Sequence, residues 1–361
     1  MKIGILTFHN TCNYGAMLQA YGLQSVLQDL GHEASIVDYK NAAVTEREEV
    51  IKPAISLLLS NPRRYCTEGY SYPRRKRRSE AFKRFADEYL AVGAPMESVT
   101  DIIDGYDAVV VGSDQVWNMR LTGNDLTYFL EGAQGSDVKM ISYAASFGAA
   151  VFPSEYAERC GSAISGFDAI SVRELQGVQL VRELTGRDAQ LVLDPTLLVE
   201  RETWLRMAKE PKSEAGSYVL VYTVAEREKT LAFARDAAKE LGCEMRVIGM
   251  SNPFLLKKAR SLNDATVEEF LGLIRGAALV VTSSFHGMAL SLALGVNVCY
   301  SLSDRPGNSN SRLETLASLA GIERRNISNG LPSSRIDFEA VDSAMAIERE
   351  KSLTFLRDAL A

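Results

Sequence analysis

Residues 278–295 read Ala-Leu-Val-Val-Thr-Ser-Ser-Phe-His-Gly-Met-Ala-Leu-Ser-Leu-Ala-Leu-Gly. The apolar run 278–281 has the composition of a strand buried on both faces. Ser283 and Ser284 then supply helix caps. Residues 288–294 are small or apolar throughout, as a buried helix requires, and Gly295 stops it. A strand that passes through a cap straight into a buried helix is half of a βαβ unit in a parallel sheet. The pattern sets Ser283, Ser284, His286 and Gly287 at the handover. Free backbone N–H groups and the positive end of the helix dipole meet there and favour an anion. A capped helix start holding a hydrogen-bonded histidine would read the same way.

The same punctuation recurs along the chain. Residues 3–8 read as a strand, followed by the polar loop His9-Asn10-Thr11-Cys12-Asn13-Tyr14-Gly15 and a helix over 16–30. That loop lacks the G-x-G-x-x-G spacing of a dinucleotide site. Further strands are expected at 34–39, 106–111, 140–144, 167–172 and 190–193. The one at 106–111 ends in Gly112-Ser113-Asp114-Gln115-Val116-Trp117-Asn118, and the last stops at Asp194-Pro195. A second series follows, with strands at 218–223, 244–248, 278–281 and 296–300, and helices at 226–241, 266–274 and 312–320. Thr266 and Glu269 form a capping box at the start of the second of these helices. The expected architecture is α/β: two Rossmann-like domains of the GT-B type facing a central cleft. The boundaries are 1–199 for the first domain (acceptor side), 200–217 for a polar linker, 218–335 for the second domain (donor side), and 336–361 for a helical tail packing back on the first.

With 361 residues, the chain is long enough for two domains. A net charge of −6 argues against a nucleic-acid partner. Five cysteines without paired spacing fit a reducing compartment and offer no metal framework. The first apolar stretch is too short for a signal peptide, and no run reaches the ~18 apolar residues of a membrane span. A cytoplasmic location is therefore expected. Residues 42–100 look irregular, apart from the basic run 73–85. That run reads either as a solvated helix face or as a contact with an acidic glycan or an anionic lipid at the inner face of the membrane.

Several phrases, taken in order, resemble the polysaccharide pyruvyl transferase family: residues 10–16, residues 112–118, Ser171-Val172-Arg173-Glu174, residues 193–198, Ser284-Phe285-His286-Gly287, and Asn310-Ser311-Arg312-Leu313. The resemblance implies a transferase that moves the enolpyruvyl carbons of phosphoenolpyruvate onto two hydroxyls of one sugar, releasing phosphate. No other cofactor and no metal are expected. Where some members carry Arg-Leu-His, this chain has Ser284-Phe285-His286, so Arg173, Arg305 or Arg312 must supply the missing cation. On this reading His286 and Asp114 are catalytic. Arg173, Ser283, Ser284, Gly287 and Arg312 bind the donor, and Asn13, Tyr14 and Gln115 line the acceptor side. The partners are then phosphoenolpyruvate and a sugar acceptor, free or lipid-linked. A nucleotide-sugar glycosyltransferase and a non-catalytic anion- or glycan-binding protein are the alternatives. An acidic residue placed for ribose hydroxyls would favour the former, and Glu314 is the nearby candidate.

Overall fold

The computed structural model describes residues 1–45, 52, 56, 60–210, 217–249, 260–262, 264–305 and 310–361. Part of the expected linker, 211–216, and part of the loop before Arg312, 306–309, lie outside these residues.

Among the described residues, β1 (Lys2–Leu6), β2 (Glu33–Tyr39), β3 (Val92–Met96), β4 (Ala108–Asp114), β5 (Lys139–Ala145), β6 (Ala169–Val172) and β7 (Gln190–Leu191) form one sheet in the order β3-β2-β1-β4-β5-β6-β7. All its pairings are parallel. Strand β4, Ala-Val-Val-Val-Gly-Ser-Asp, is buried along its whole length. It lies in the sheet interior with helices on both sides, so its β-branched residues face no water. A second parallel sheet follows: β8 (Tyr218–Tyr222), β9 (Glu244–Ile248), β10 (Arg260–Ser261), β11 (Leu279–Thr282) and β12 (Val298–Tyr300), in the order β10-β9-β8-β11-β12. Strand order reverses between β1 and β4 in the first sheet and between β8 and β11 in the second. In open α/β sheets the crevice at such a reversal, beyond the carboxyl ends of the strands, is where ligands bind.

Helix α1 (Tyr14–Asp29) follows β1. The stretch expected to be irregular contains a long helix, α2 (Pro62–Tyr89), with Pro73 inside it. The charge density of 73–85 masked a sparse apolar stripe: Ala81, Phe82 and Phe85 are buried, while Arg74, Arg75, Lys76 and Arg77 are exposed. Helix α3 (Leu175–Thr185) follows β6. Within the stretch expected as linker, Arg201–Met207 forms helix α4. Its Trp204 is fully buried and donates Nε1–H to the Thr196 carbonyl at 3.1 Å.

Around the second sheet lie α5 (Val267–Arg275), α6 (Phe285–Ala293) and α7 (Ser311–Leu319). Helix α5 opens on the capping box of Thr266 and Glu269. The tail forms α8 (Phe338–Leu360), capped by Asp337. It returns to the first sheet, as expected of the tail. Leu193 N–H donates to Ser352 Oγ at 2.9 Å, Arg349 donates to the Leu197 carbonyl at 3.1 Å, and Phe355 lies 6.3 Å from the Tyr143 ring.

The two lobes share one apolar cluster. Tyr14, at the start of α1, stacks on Phe270 of α5 with ring centroids 4.3 Å apart. Its hydroxyl donates to the Ala265 carbonyl at 2.8 Å.

Candidate functional site

Three strand ends and one helix start converge where the lobes meet. Ser113 and Asp114 close β4, Arg173 follows β6, Asp194 follows β7, and His286 sits in the first turn of α6. All five are buried. Arg173 is the hub. Its Nη1 donates to Asp194 Oδ2 at 2.8 Å and its Nη2 to Asp114 Oδ1 at 3.1 Å, and its Nε stands 4.0 Å from Glu174 Oε2. Asp194 Oδ2 also accepts from Ser113 Oγ at 2.6 Å, and its Oδ1 accepts from Thr196 Oγ1 at 2.7 Å and Thr196 N–H at 3.0 Å.

His286 comes from the other lobe. Its Nε2 lies between a cation and an anion: 3.4 Å from Arg173 Nη1 and 3.5 Å from Asp194 Oδ2. Its Nδ1 edge packs against Gly15, where an added Cβ would stand 2.1 Å from Nδ1. Glycine at that position is what lets the ring reach the first lobe. The Arg173 guanidinium also lies over the Phe285 ring at 4.6 Å.

The charges set one another. Burial raises the Asp114 carboxyl, but His286, Arg173 and Arg312 more than offset this and hold it below the ordinary carboxylate value. Burial raises Asp194 too, but the charge and hydrogen bond of His286, the Arg173 charge and the Ser113 hydrogen bond hold it well below that value. Burial pulls Arg173 down, yet Asp114, Asp194 and Glu174 together raise it. Glu174 moves the other way. Burial pushes its carboxyl up, and Arg173 and Arg312 offset this only in part. Asp114 also has a left-handed backbone, φ 80°, unusual for a non-glycine residue and a form of strain that clusters at functional sites.

Arg312, in the first turn of α7, differs from Arg173. Burial lowers it, the Arg173 charge lowers it further, and Glu174 and Asp114 act on it through charge. Its Nε is buried without a hydrogen-bond partner, as are Arg173 Nε and Glu174 Oε2. Helix α7 is tied to the start of α3 by Leu175 N–H to Thr315 Oγ1 at 3.2 Å and Gln176 N–H to Ser311 Oγ at 3.1 Å. Arg173 Nε and Glu174 Oε2 stand 4.0 Å apart, and Arg312 acts on both residues through its charge, so these unpartnered atoms mark a place where a further polar group is stabilised.

The structure thus gathers His286, Asp114, Arg173 and Arg312 from the residues singled out in the sequence. Others have structural tasks. Tyr14 is fully buried, with its hydroxyl committed to Ala265, so it cannot line an acceptor surface. Ser283 Oγ donates to the Ala225 carbonyl and accepts from Val224 and Ala225 N–H, bracing the loop after β8. Ser284 caps α6, accepting from Gly287 N–H at 3.3 Å, and Gly287 is packed so closely that a Cβ would stand 2.4 Å from Thr282 Oγ1. Asn13 caps α1 and is exposed, and Gln115 accepts from Asn118 Nδ2 at 2.9 Å. Arg305 is exposed and stands 3.8 Å from Glu226, away from the hub. Glu314 is exposed. Asp194, Ser113 and Glu174 escaped sequence reasoning. Asp194-Pro195 was legible only as a strand stop, although its phrase was among those carrying the family resemblance.

Among the described residues, no cluster of His, Cys, Asp and Glu has the form of a metal site. No helix among them is long and apolar enough to cross a membrane.

Two parallel-sheet lobes that pool charged side chains at their carboxyl edges define an α/β protein of the two-Rossmann-domain class. The family model for polysaccharide pyruvyl transferases matches residues 13–303, and the chain belongs to that family. It is accordingly a transferase by family. No curated protein matches it. Among solved structures, it is similar to a putative UDP-N-acetylglucosamine 2-epimerase from Listeria monocytogenes, at 14% identity and TM-score 0.49, covering 97% of this chain and 96% of that one. It is also similar to an alpha-glucosyltransferase solved with UDP, at 12% identity and TM-score 0.48, covering 99% and 95%. A UDP-GlcNAc 2-epimerase from Methanocaldococcus jannaschii gives 13% identity and TM-score 0.47, covering 98% and 99%. Similarity at this level carries nothing about substrate.

Proposed function

We propose that the protein transfers the enolpyruvyl group of phosphoenolpyruvate onto two hydroxyls of a sugar, making a pyruvate ketal and releasing phosphate. The observation that carries this reading is the meeting of His286 with the Arg173–Asp114–Asp194 cluster across the lobe junction, beside Arg312, whose Nε has no partner. The donor carries a carboxylate and a phosphate. A guanidinium matches either group bidentately; Arg173 and Arg312 each keep a buried Nε without a partner, but Arg173 has both Nη1 and Nη2 bound to aspartates. Arg173 is committed to two aspartates, so in this reading its part is to orient His286 and keep Asp114 ionised. The start of α6, in whose first turn His286 sits, adds backbone N–H groups and the positive end of the helix dipole.

The chemistry balances as follows. A proton reaches the methylene carbon, which becomes a methyl group and leaves C2 electrophilic. One sugar hydroxyl attacks C2 and loses its proton. The C2–O bond to phosphate breaks, and the second hydroxyl closes the ketal. Of the two hydroxyl protons, one replaces the proton delivered to carbon and the other leaves with phosphate. Imidazole is the side chain that most readily gives and takes protons near neutral pH, and His286 fills that role. Asp114 engages Arg173 and the Gln115 N–H through Oδ1, and in this reading Oδ2 anchors an attacking hydroxyl.

The exposed basic face of α2 fits an acceptor held on an anionic lipid at a membrane surface, working from the cytoplasmic side. Phosphate release from phosphoenolpyruvate over a panel of sugar acceptors tests the proposal. Arg312→Met should raise the donor KM, and His286→Gln should abolish turnover with folding intact. Full activity in both variants removes the proposed site from the reaction.

A further inference from the structure

Between the end of α7 and the start of α8 lies a cavity of about 940 Å³. Its walls include Arg324 and Arg325, from the 3-10 turn Glu323–Arg325, and Arg335, from the segment that leads into α8. It is remote from the hub. Arg312 sits in the first turn of α7, whereas Ser318 and Leu319 at the other end of that helix line the cavity, and a helix of this length spans about 13 Å.

Both arms that carry these arginines are pinned. The Tyr300 hydroxyl donates to the Glu323 carbonyl at 3.2 Å, Arg325 N–H donates to the Ile322 carbonyl at 2.8 Å, and Asn326 forms a parallel bridge with Tyr300. On the other arm, Ile336 N–H donates to Asn297 Oδ1 at 2.8 Å. Arg324 and Arg335 are exposed, but Arg325 is only 9% exposed. Three arginines are buried among the described residues: Arg173, Arg246 and Arg325. Arg173 is paired with aspartates and Arg246 with Glu244. The Arg325 guanidinium has no hydrogen bond or ion pair among the described residues, and only the Cys299 thiol favours its charge against burial. A buried charge without a partner is costly, so the fold keeps one only where an anion from outside can meet it.

Two acids also line the cavity. Asp337 is spent on capping α8, its Oδ1 accepting from Glu339 and Ala340 N–H at 3.1 and 3.2 Å, and Glu323 is exposed. Guanidinium forks match phosphate oxygens, and three of them around one cavity suit a dianion better than a carboxylate. The volume lies at the upper end of the range for small-molecule sites, well beyond what a bare phosphate fills. Leu319, Leu331 and Pro332 give it an apolar flank, and no aromatic ring is among the lining residues, so nothing there stacks on a base. We propose that this cavity binds a phosphate monoester with a compact non-aromatic body, with Arg325 as the buried anchor and Arg324 and Arg335 as further donors. The site is separate from the hub and stands or falls independently of pyruvyl transfer.

The test is thermal melting and titration calorimetry on the full chain in an Arg312→Met background, which removes the cation offered to phosphate at the hub. The probes are inorganic phosphate, glycerol 3-phosphate, and phosphatidylcholine vesicles with and without phosphatidic acid. Glycerol 3-phosphate should bind and raise the melting temperature. Arg335→Gln should weaken that binding several-fold, and Arg325→Met should abolish it. Without ligand, Arg325→Met should melt no lower than its parent, because no protein group loses a partner. Binding confined to phosphatidic acid vesicles and abolished by Arg325→Met assigns the same phosphate chemistry to a lipid headgroup. The inference is overturned if soluble phosphates bind equally well in Arg325→Met, or if no probe shows binding that depends on Arg325. It is also overturned if Arg325→Met melts several degrees lower without ligand, since the guanidinium would then be held by the protein itself.

Discussion

Gly15 and His286 come from opposite lobes and touch so closely that a Cβ on Gly15 would lie 2.1 Å from the imidazole Nδ1. The ring is thereby held against the first lobe with its Nε2 edge turned to Arg173 and Asp194. Glycine inside α1 weakens the helix, since alanine there would gain up to about 1 kcal/mol of propensity. Gly15→Ala should lower kcat by roughly tenfold or more through displacement of the ring, and the melting temperature should fall as well, since the new Cβ meets Nδ1, Cγ and Cβ of His286 at 2.1, 2.4 and 2.8 Å and overpacking costs about 1–3 kcal/mol. Unchanged kcat would show that the position of the ring is immaterial.

Asp194 ties Arg173, Ser113 and Thr196 together inside the first lobe. Asp194→Ala leaves Arg173 buried with one fewer counter-charge, and removing one partner of a buried pair costs about 3–5 kcal/mol. Urea denaturation followed by the fluorescence of the two tryptophans, Trp117 and Trp204, measures this. A loss below about 1 kcal/mol, the level of an exposed pair, would contradict a buried network.

The carboxylates at the hub pull stability in opposite directions with pH. Asp114 and Asp194 are depressed, so their contribution is complete above the ordinary value of 3.8 and is lost as pH falls through their folded values. Glu174 is raised, so its contribution is complete below its ordinary 4.5 and is lost as pH rises through its folded value. Glu174→Gln keeps an oxygen for Ser146 Oγ and Phe147 N–H, which donate to Oε1 in the native site. The wild type should lose stability relative to Glu174→Gln as pH is raised from 4.5 toward 7, read as the urea midpoint. Parallel curves would mean that Glu174 titrates normally.

Tyr14 joins the lobes rather than facing a substrate. Tyr14→Phe keeps the stack on Phe270 and leaves the Ala265 carbonyl without its donor, at a cost of about 1–3 kcal/mol. Neither the donor nor the acceptor KM should change. A selective rise in acceptor KM would return Tyr14 to the acceptor side.

Much of this architecture is legible along the chain. Strands such as β4 announce themselves because burial on both faces demands an unbroken apolar run. Helix starts such as Thr266 and Ser284 are visible because capping is a matter of a few adjacent residues. Helix α2 was not legible as a helix of its full length. Its buried stripe is reduced to a few residues such as Ala81, Phe82 and Phe85, and local charge swamps so thin a periodic signal. Strand β3 (Val-Gly-Ala-Pro-Met) was hidden because it is an edge strand whose proline and glycine speak against pairing.

The sequence by itself determined most of the strands, the starts of helices such as α5 and α6, and that His286, Asp114, Arg173 and Arg312 end up near strand-to-helix handovers. These follow from periodicity and caps, which act over a few residues. Only the tertiary structure decided that Arg173 is spent on Asp114 and Asp194, that Tyr14 is a strut between lobes, and that Arg312 keeps a buried Nε unpartnered. Partner choice among charges depends on which strand ends are neighbours in the sheet. That order is set by packing between residues as far apart as Ser113 and Asp194, or Arg173 and His286, and no local pattern encodes it.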